Sequence, residues 1–401
     1  MRDAYIVSAV RTPGCNSRRG KFIQTRPEDL MVTALKGAVE RINLDKAEVD
    51  DFIMGCAFPE AEQGTNLGRT ALMMAGFPVE VTGAVINRFC ASGLEAIAQS
   101  AMRVMTGWSE VTMAGGLEAM SQVPMGGNLP RPHPTWSAEH AEDYISMGIT
   151  AENVAKRYNV TREEQDEFGY HSQMKAAEAQ KKGYFTEIVP TLADRFTTLP
   201  DGSVKHKRIT VTADDGVRPE TTLEGLAKLK TPFAAMGTVT AGNASQTTDG
   251  AAACAIMSED ALKKYGVKPI AKLVCYTTAG CKSDEMGIGP SVAVPKLLKK
   301  VDIKVEDIGL WEINEAFASQ AIYCARKLGL DDKKLWTVDS PEKKVNINGG
   351  AIALGHPLGC TGAKLAATLL ANMQRLGVKY GVETMCIGGG MGAAALFELC
   401  D

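Results

Sequence analysis

No two of the ten cysteines in the 401 residues form a C-x-x-C pair. Their spacing fits neither a zinc site nor a secreted disulfide framework. Without a secretory segment, a reduced, cytosolic setting is the expectation. Long apolar runs are missing too: none approaches the ~18–20 residues that span a bilayer. The opening alternation from Ala4 to Val10 is too short for the apolar core of a signal peptide. Glu398 to Asp401 at the other end carry no recognisable targeting tripeptide. Neither sign of charge is in excess, with a formal net charge of −3. Nothing therefore pushes the chain toward nucleic acid or an anionic membrane.

What is present is the composition of a globular protein, 45% hydrophobic and 23% charged. The length predicts two or three domains. Forty glycines, many in short clusters, indicate tight turns and close backbone approaches. Strands and helices alternate at both ends. Ala4 to Val10 reads as a strand, and Pro27-Glu28-Asp29 opens a helix with acids at its positive end. Short strands are predicted around Phe52–Met54, Ala84–Asn87 and Glu110–Ala114, with a helix from about Ser92 to Thr106.

The far end repeats this order. Asp51–Phe58 resembles Leu310–Phe317, Gly83–Asn87 resembles Lys344–Asn348, and Thr112–Gly116 resembles Thr384–Gly388, at offsets of 259, 261 and 272 residues. The later jump falls where the second half inserts Gly349–Gly359. Each match is weak, but three in order point to a duplicated α/β unit. From about Met120 to Thr240 the chain is richer in Pro, His and charge. Met125 to Pro134 reads as loop, and Thr161-Arg162-Glu163-Glu164 is a capping-box pattern opening a helix that stops at Gly183. This block reads as an insertion carrying a covering lobe.

Four segments carry chemistry. Cys90 lies between a short apolar strand and the start of an amphipathic helix, where unpaired N–H groups favour a thiolate. Taken alone, it reads as the buried small hydrophobe that most free cysteines are. His356, between Gly355 and Pro357 in a Gly-rich turn, is poorly placed as a core filler, and a neutral imidazole there can accept a thiol proton. His133 and His140 lie in loop-rich chain, His171 within the long helix, and His206 in a charge run read as solvated. Cys386 ends a strand and leads into glycines from Gly388 onward, whose N–H groups can converge as an oxyanion hole. Asn314, in the polar run Glu312–Phe317, is by itself no better than a turn asparagine.

Together these segments resemble the thiolase family. The likeness covers essentially the whole chain, from Ala9-Val10-Arg11-Thr12-Pro13 to the final glycine run. The order of the Cys90 segment, Asn314-Glu315-Ala316-Phe317, Gly349 through Gly359, and Cys386 through Gly392 is highly specific. The middle block is similar to that family's loop domain, through Ser146–Asn153 and Gly237–Gly250.

The resemblance implies an α/β fold of two duplicated halves in α-β-α-β-α layers with an inserted loop domain. It places one half at 1–118, continued by about 246–270, the CoA-binding loop domain at 119–245, and the other half at 271–401. It implies thiolytic cleavage of a 3-ketoacyl-CoA by CoA, reversible as a Claisen condensation. Cys90 would be the acylated nucleophile, His356 its activator and Cys386 the proton donor to the leaving enolate. Asn314, through a water, and His356 would stabilise the thioester oxygen, and the N–H groups of Cys90 and Gly388 the tetrahedral intermediate. Arg218 and Ser245 match CoA contacts, and Met147, Met286 and Phe317 match pocket-lining positions. CoA would be a substrate, with no metal or redox cofactor, and the assembly a homodimer or homotetramer.

One departure is informative. Biosynthetic acetoacetyl-CoA thiolases tend to have His where this chain has Ser146, which leans toward the degradative branch. The lack of a leader leans toward a cytosolic enzyme. The alternatives are a biosynthetic acetoacetyl-CoA thiolase, or a non-catalytic acyl-CoA carrier on the same scaffold. A ketoacyl synthase would use Cys with two histidines, whereas this chain offers Asn314 and adds Cys386.

Overall fold

Twelve strands form among residues 2–400, which the computed structural model describes; Met1 and Asp401, the outer limits of the two expected halves, lie outside the described residues. They are β1 (Tyr5–Arg11), β2 (Cys15–Asn16), β3 (Asp51–Gly55), β4 (Thr82–Ile86), β5 (Val111–Ala119), β6 (Thr191–Thr198), β7 (Val204–Val211), β8 (Thr248–Met257), β9 (Ala271–Gly280), β10 (Leu310–Ile313), β11 (Tyr380–Ile387) and β12 (Met391–Leu399). Strands β5 and β8 are buried at every position. Continuous apolar runs of this kind mark strands covered on both faces.

One sheet runs in the order β10-β11-β12-β9-β1-β8-β5-β3-β4, with β2 beside β8. It is two half-sheets. In the first, β3 lies parallel to β4 and β5, and β8 runs antiparallel between β5 and β1. In the second, β10 lies parallel to β11, and β12 runs antiparallel between β11 and β9. The halves join where β1 and β9 pair antiparallel through Tyr5–Lys272 and Ile6–Ala271. The duplication read from three sequence matches is thus present in the strand order.

One partner in those matches differs. Lys344–Asn348 forms only an isolated parallel bridge, Trp311 to Val345, and not a strand. The reason is local: Asn346 turns left-handed at φ +44°. Its side chain then takes the strand's place, accepting from Ile313 N at 2.8 Å and donating to Ile313 O at 2.9 Å. Strand β5 also runs on to Ala119, beyond its expected end at Ala114.

Five layers follow from three apolar interfaces. Helices Pro27–Glu40 and Leu67–Met74 cover the outside of the first half-sheet around Phe22, Leu35 and Phe52. Helices Gly289–Val301 and Ala318–Lys327 cover the second around Leu297, Trp311 and Tyr323. Between the half-sheets, Ser92–Met105 packs on Thr361–Leu376 through Ile97, Ala101, Ala366 and Leu370.

Residues 120–247 lie between β5 and β8, neighbours in the first half-sheet. They hold the β6–β7 hairpin and the helix Arg162–Lys182. That helix has the expected capping box between Thr161 and Glu164, and Gly183 closes it at φ +68°.

Candidate active site

Cys90 sits on a single turn, Phe89–Ala91, that leads into the helix Ser92–Met105. Phe89 holds a left-handed φ of +44°, an unfavourable conformation for a bulky side chain. Two side chains fix it. Asn87 Oδ1 accepts from Phe89 N at 2.7 Å, and Ser92 Oγ donates to Phe89 O at 2.7 Å while accepting from Arg88 N at 2.8 Å. The turn delivers the thiol to a point where the N–H groups of Gly388 and of Cys90 itself meet its sulfur.

These donors favour a thiolate, as does the helix start, but they do not win. A helix end contributes about 0.3–1 kcal/mol, while full burial raises a thiol by up to several pKa units. Cys90 is 8% exposed, and burial pushes it up to about 12, with Glu118 adding to the rise. The expected thiolate is therefore corrected: the resting group is a thiol. The same holds for Cys386, which burial and then the neighbouring Cys90 raise well above the ordinary value. Neither cysteine rests near neutrality.

Cys386 ends β11, and the glycine turn Gly388-Gly389-Gly390 follows. Gly390 has φ +80°, and a β-carbon there would stand 2.4 Å from Cys281 O. Met147, Met286, Ala316 and Phe317 pack with Cys386 in one apolar group. Ser245 borders it, donating its N–H to Ala316 O at 2.9 Å, next to a bridge between Ala244 and Phe317.

His356 is held at both ends of its peptide and its ring. Its N–H donates to Gln246 O at 3.0 Å and to Thr248 Oγ1 at 3.1 Å. Thr361 Oγ1 donates to Pro357 O at 2.9 Å, so at 2.6 Å it accepts from His356 Nδ1. The proton is thereby assigned to Nδ1, and Nε2 keeps its lone pair. Asn314 Nδ2 approaches that nitrogen at 3.4 Å. Burial pushes the imidazole down to about 3, helped by Lys364, whose ammonium donates to Gly355 O. His356 therefore rests neutral.

Asn314 Oδ1 is buried and has no hydrogen-bond partner among the described residues. Such an atom costs about 1–3 kcal/mol, and it offers an acceptor to a water or a substrate group. The residue is placed by its own N–H, which donates to Thr384 O at 2.9 Å. The buried Glu315 accepts from Ser172 Oγ at 2.6 Å and Asn346 Nδ2 at 2.8 Å, tying this loop to the Gly-rich one.

The structure brings Cys90, Gly388 and Cys386 together and pairs Asn314 with His356. It gathers Met147, Met286 and Phe317 around Cys386, with Ser245 beside them. Arg218 has other neighbours: its N–H donates to Gln173, and its half-buried guanidinium faces Arg19. His206 is not simply solvated, since it stacks on Phe196 and bonds Asp194 at 2.7 Å. His171 accepts from Val338 N at 3.2 Å beside Trp336.

Sequence reasoning missed Thr361, Glu315 as a clamp, and Glu118. Glu118 was hidden because Gly115-Gly116 ended the strand reading five residues too early. For Thr361 no sequence signal exists, because its role depends on the turn between it and His356.

Two family matches tile the chain. Residues 4–260 match the family described as Thiolase, N-terminal domain, and residues 267–399 match Thiolase, C-terminal domain. The chain is 46% identical over 401 residues to a 3-ketoacyl-CoA thiolase of Bacillus subtilis, covering 100% of each. Among solved structures it resembles the Bacillus anthracis acetyl-CoA acetyltransferase with a TM-score of 0.88 and 39% identity, covering 100% of this chain and 99% of that one. It also resembles human mitochondrial 3-ketoacyl-CoA thiolase with a TM-score of 0.87 and 36% identity, with the same coverage.

Proposed function

The chain belongs to the thiolase family, and from that premise we propose that it is a 3-ketoacyl-CoA thiolase, an acyltransferase acting through an acyl-Cys90 intermediate. The observation that carries the mechanism is the meeting of Cys90, Cys386 and the Gly388 N–H at one buried point.

Each step falls to a residue of this site. His356 Nε2 takes the Cys90 proton as the thiolate attacks the 3-keto carbon. The C2–C3 bond breaks and its electrons pass to C2, giving the enolate of acetyl-CoA. Asn314, through a water, and the protonated His356 stabilise the enolate oxygen. The Cys386 thiol gives C2 its proton, and its high pKa suits it to carry that proton at rest. Acetyl-CoA leaves, and Cys386 takes the proton of incoming CoA. The CoA thiolate attacks the acyl thioester, and the N–H groups of Cys90 and Gly388 hold the oxyanion. Cys90 leaves as thiolate and recovers its proton from His356. The products are acetyl-CoA and the shortened acyl-CoA. Protons and electrons balance with CoA as a substrate and without a further cofactor.

Arg218 and Ser245 would hold CoA, the lobe at 119–245 serving that purpose between the halves at 1–118 with 246–270 and at 271–401. The place of Ser245 beside Phe317 supports this. A homodimer or homotetramer is supported by the outer strand β4, which is only partly buried, and by exposed Met73, Met74 and Phe89. Sedimentation as a stable monomer of 42.8 kDa would reject it. Among the described residues no helix is long and apolar enough to cross a membrane. Among the described residues the nine cysteines from Cys15 to Cys386 are free thiols, which supports work in the reducing cytoplasm. Ser146 supports the degradative branch, that is, fatty-acid β-oxidation.

The deciding experiment offers acetoacetyl-CoA and a longer 3-ketoacyl-CoA, each with CoA. Cleavage of both, abolished in Cys90→Ala, is expected. Cleavage of acetoacetyl-CoA alone moves the chain to the biosynthetic branch. Binding of CoA esters without cleavage leaves a carrier.

A further inference from the structure

Glu118, one residue before the end of β5, is a fully buried carboxylate with no ion-pair partner among the described residues. Four N–H donors and the Cys56 thiol, 3.9 Å from Oε1, surround it. Its Oε2 accepts from Ala57 N and Gly359 N, both at 2.8 Å. Its Oε1 accepts from Gln63 Nε2 at 2.8 Å and Phe58 N at 3.3 Å. Burial favours the protonated form, but a proton on either oxygen would face an N–H donor. The donor set therefore fits the ionised group.

These donors come from both halves of the molecule. Ala57 and Phe58 follow β3, and Gly359 lies three residues after His356. The Cys90 turn is tied to the same loop, since Asn87 Nδ2 donates to Ala57 O at 2.9 Å. Ala57, Met120 and Leu358 form the apolar wall around Cys90. A β-carbon at Gly359 would stand 2.6 Å from Ala57 N and 2.8 Å from Glu118 Oε2. The turn after His356 thus threads into a slot that Glu118 closes.

We propose that Glu118 is a positioning residue for thiolysis: it locks the Cys90 turn of one half to the His356 turn of the other. This rests on the reading of the chain as a thiolase. Cys56 faces Glu118 from the loop after β3, and Cys360 faces it from the turn after His356.

The test uses Glu118→Gln and Glu118→Asp, with folding checked by thermal melting. Cys90 alkylation by iodoacetamide at one pH is followed by mass spectrometry of its peptide, without CoA, alongside kcat and KM. Glu118→Gln turns a donor toward two N–H groups. Its kcat should fall roughly 10- to 100-fold with KM within about threefold, and its Cys90 alkylation rate should rise at least about threefold as the turn is released. Glu118→Asp cannot reach Ala57 and Gly359 together, and its kcat should fall likewise. A folded Glu118→Gln with kcat within about twofold of the parent, or with an unchanged alkylation rate, overturns the proposal. The alkylation arm needs no CoA ester. A parent protein that cleaves no 3-ketoacyl-CoA therefore rejects the function while leaving the Glu118 result readable.

Discussion

The two half-sheets share one strand order, yet their interiors differ in kind. At the offsets that relate them, Ile53 of β3 answers to Glu312 of β10, and Val111 of β5 to Glu383 of β11. At these two positions the first half carries hydrocarbon. The second buries two carboxyls side by side, since Glu312 and Glu383 are in register across β10 and β11. Both Glu383 oxygens lack a hydrogen-bond partner among the described residues. The Cys90 turn follows β4 after three residues, while the matching place in the second half carries the longer Gly-rich insertion with His356. Duplication therefore supplied two frames, and the chemistry lies in what was made unequal between them.

That contrast can be broken most severely at the nucleophile. Cys90→Ser should lower thiolysis by about 10³-fold or more with the fold intact, because the hydroxyl is a far weaker nucleophile. A rate within about tenfold of the parent would remove Cys90 from the mechanism. On the other half, Asn314→Ala should cost roughly 10²- to 10³-fold in kcat with little change in KM, as expected for lost oxyanion support. An effect confined to KM would make Asn314 a binding residue only. Thr361→Val keeps the shape but removes the acceptor of His356 Nδ1. A loss of roughly 10-fold in kcat is expected as the tautomer is released, and an unchanged rate would show that packing alone orients the ring.

The smallest effect concerns stability. Glu312 is raised from the ordinary 4.5 to about 8 by burial and then by Glu315. Between those values the folded state binds more protons than the unfolded one. Stability should then fall as pH rises from about 4.5 to about 8 and level off above. Glu312→Gln should flatten that part of the curve of melting temperature against pH. An unchanged slope in Glu312→Gln would place its origin elsewhere, with the partnerless Glu383 next in line.

Much of the frame was legible before any coordinates. Capping at Thr161, the glycine stop at Gly183 and the Pro27 helix start are local effects, and each formed where the residues indicated. The Cys90, His356 and Cys386 segments were legible because a nucleophile, a histidine and a glycine turn each leave a mark in a few adjacent residues. Strand β5 was cut short because Gly115 and Gly116 look like a turn. In the fold they are needed for contact: a β-carbon on Gly116 would stand 2.3 Å from Gly359 O. Lys344–Asn348 looked like a strand, and one left-handed asparagine turned it into a clamp.

The sequence by itself determined the two α/β halves, their order, the inserted block and the chemistry carried by cysteine, histidine, asparagine and glycine. Those depend on neighbours along the chain, where propensity, capping and spacing act. Tertiary structure alone decided the protonation of the site and its alignment. Burial, which no local pattern reports, overrides the helix start at Cys90 and leaves a thiol there and a neutral imidazole at His356. The links from Glu118 to Gly359 and from Asn314 to His356 join residues 241 and 42 positions apart, and a separation of that size becomes a contact only when both half-sheets have closed around it.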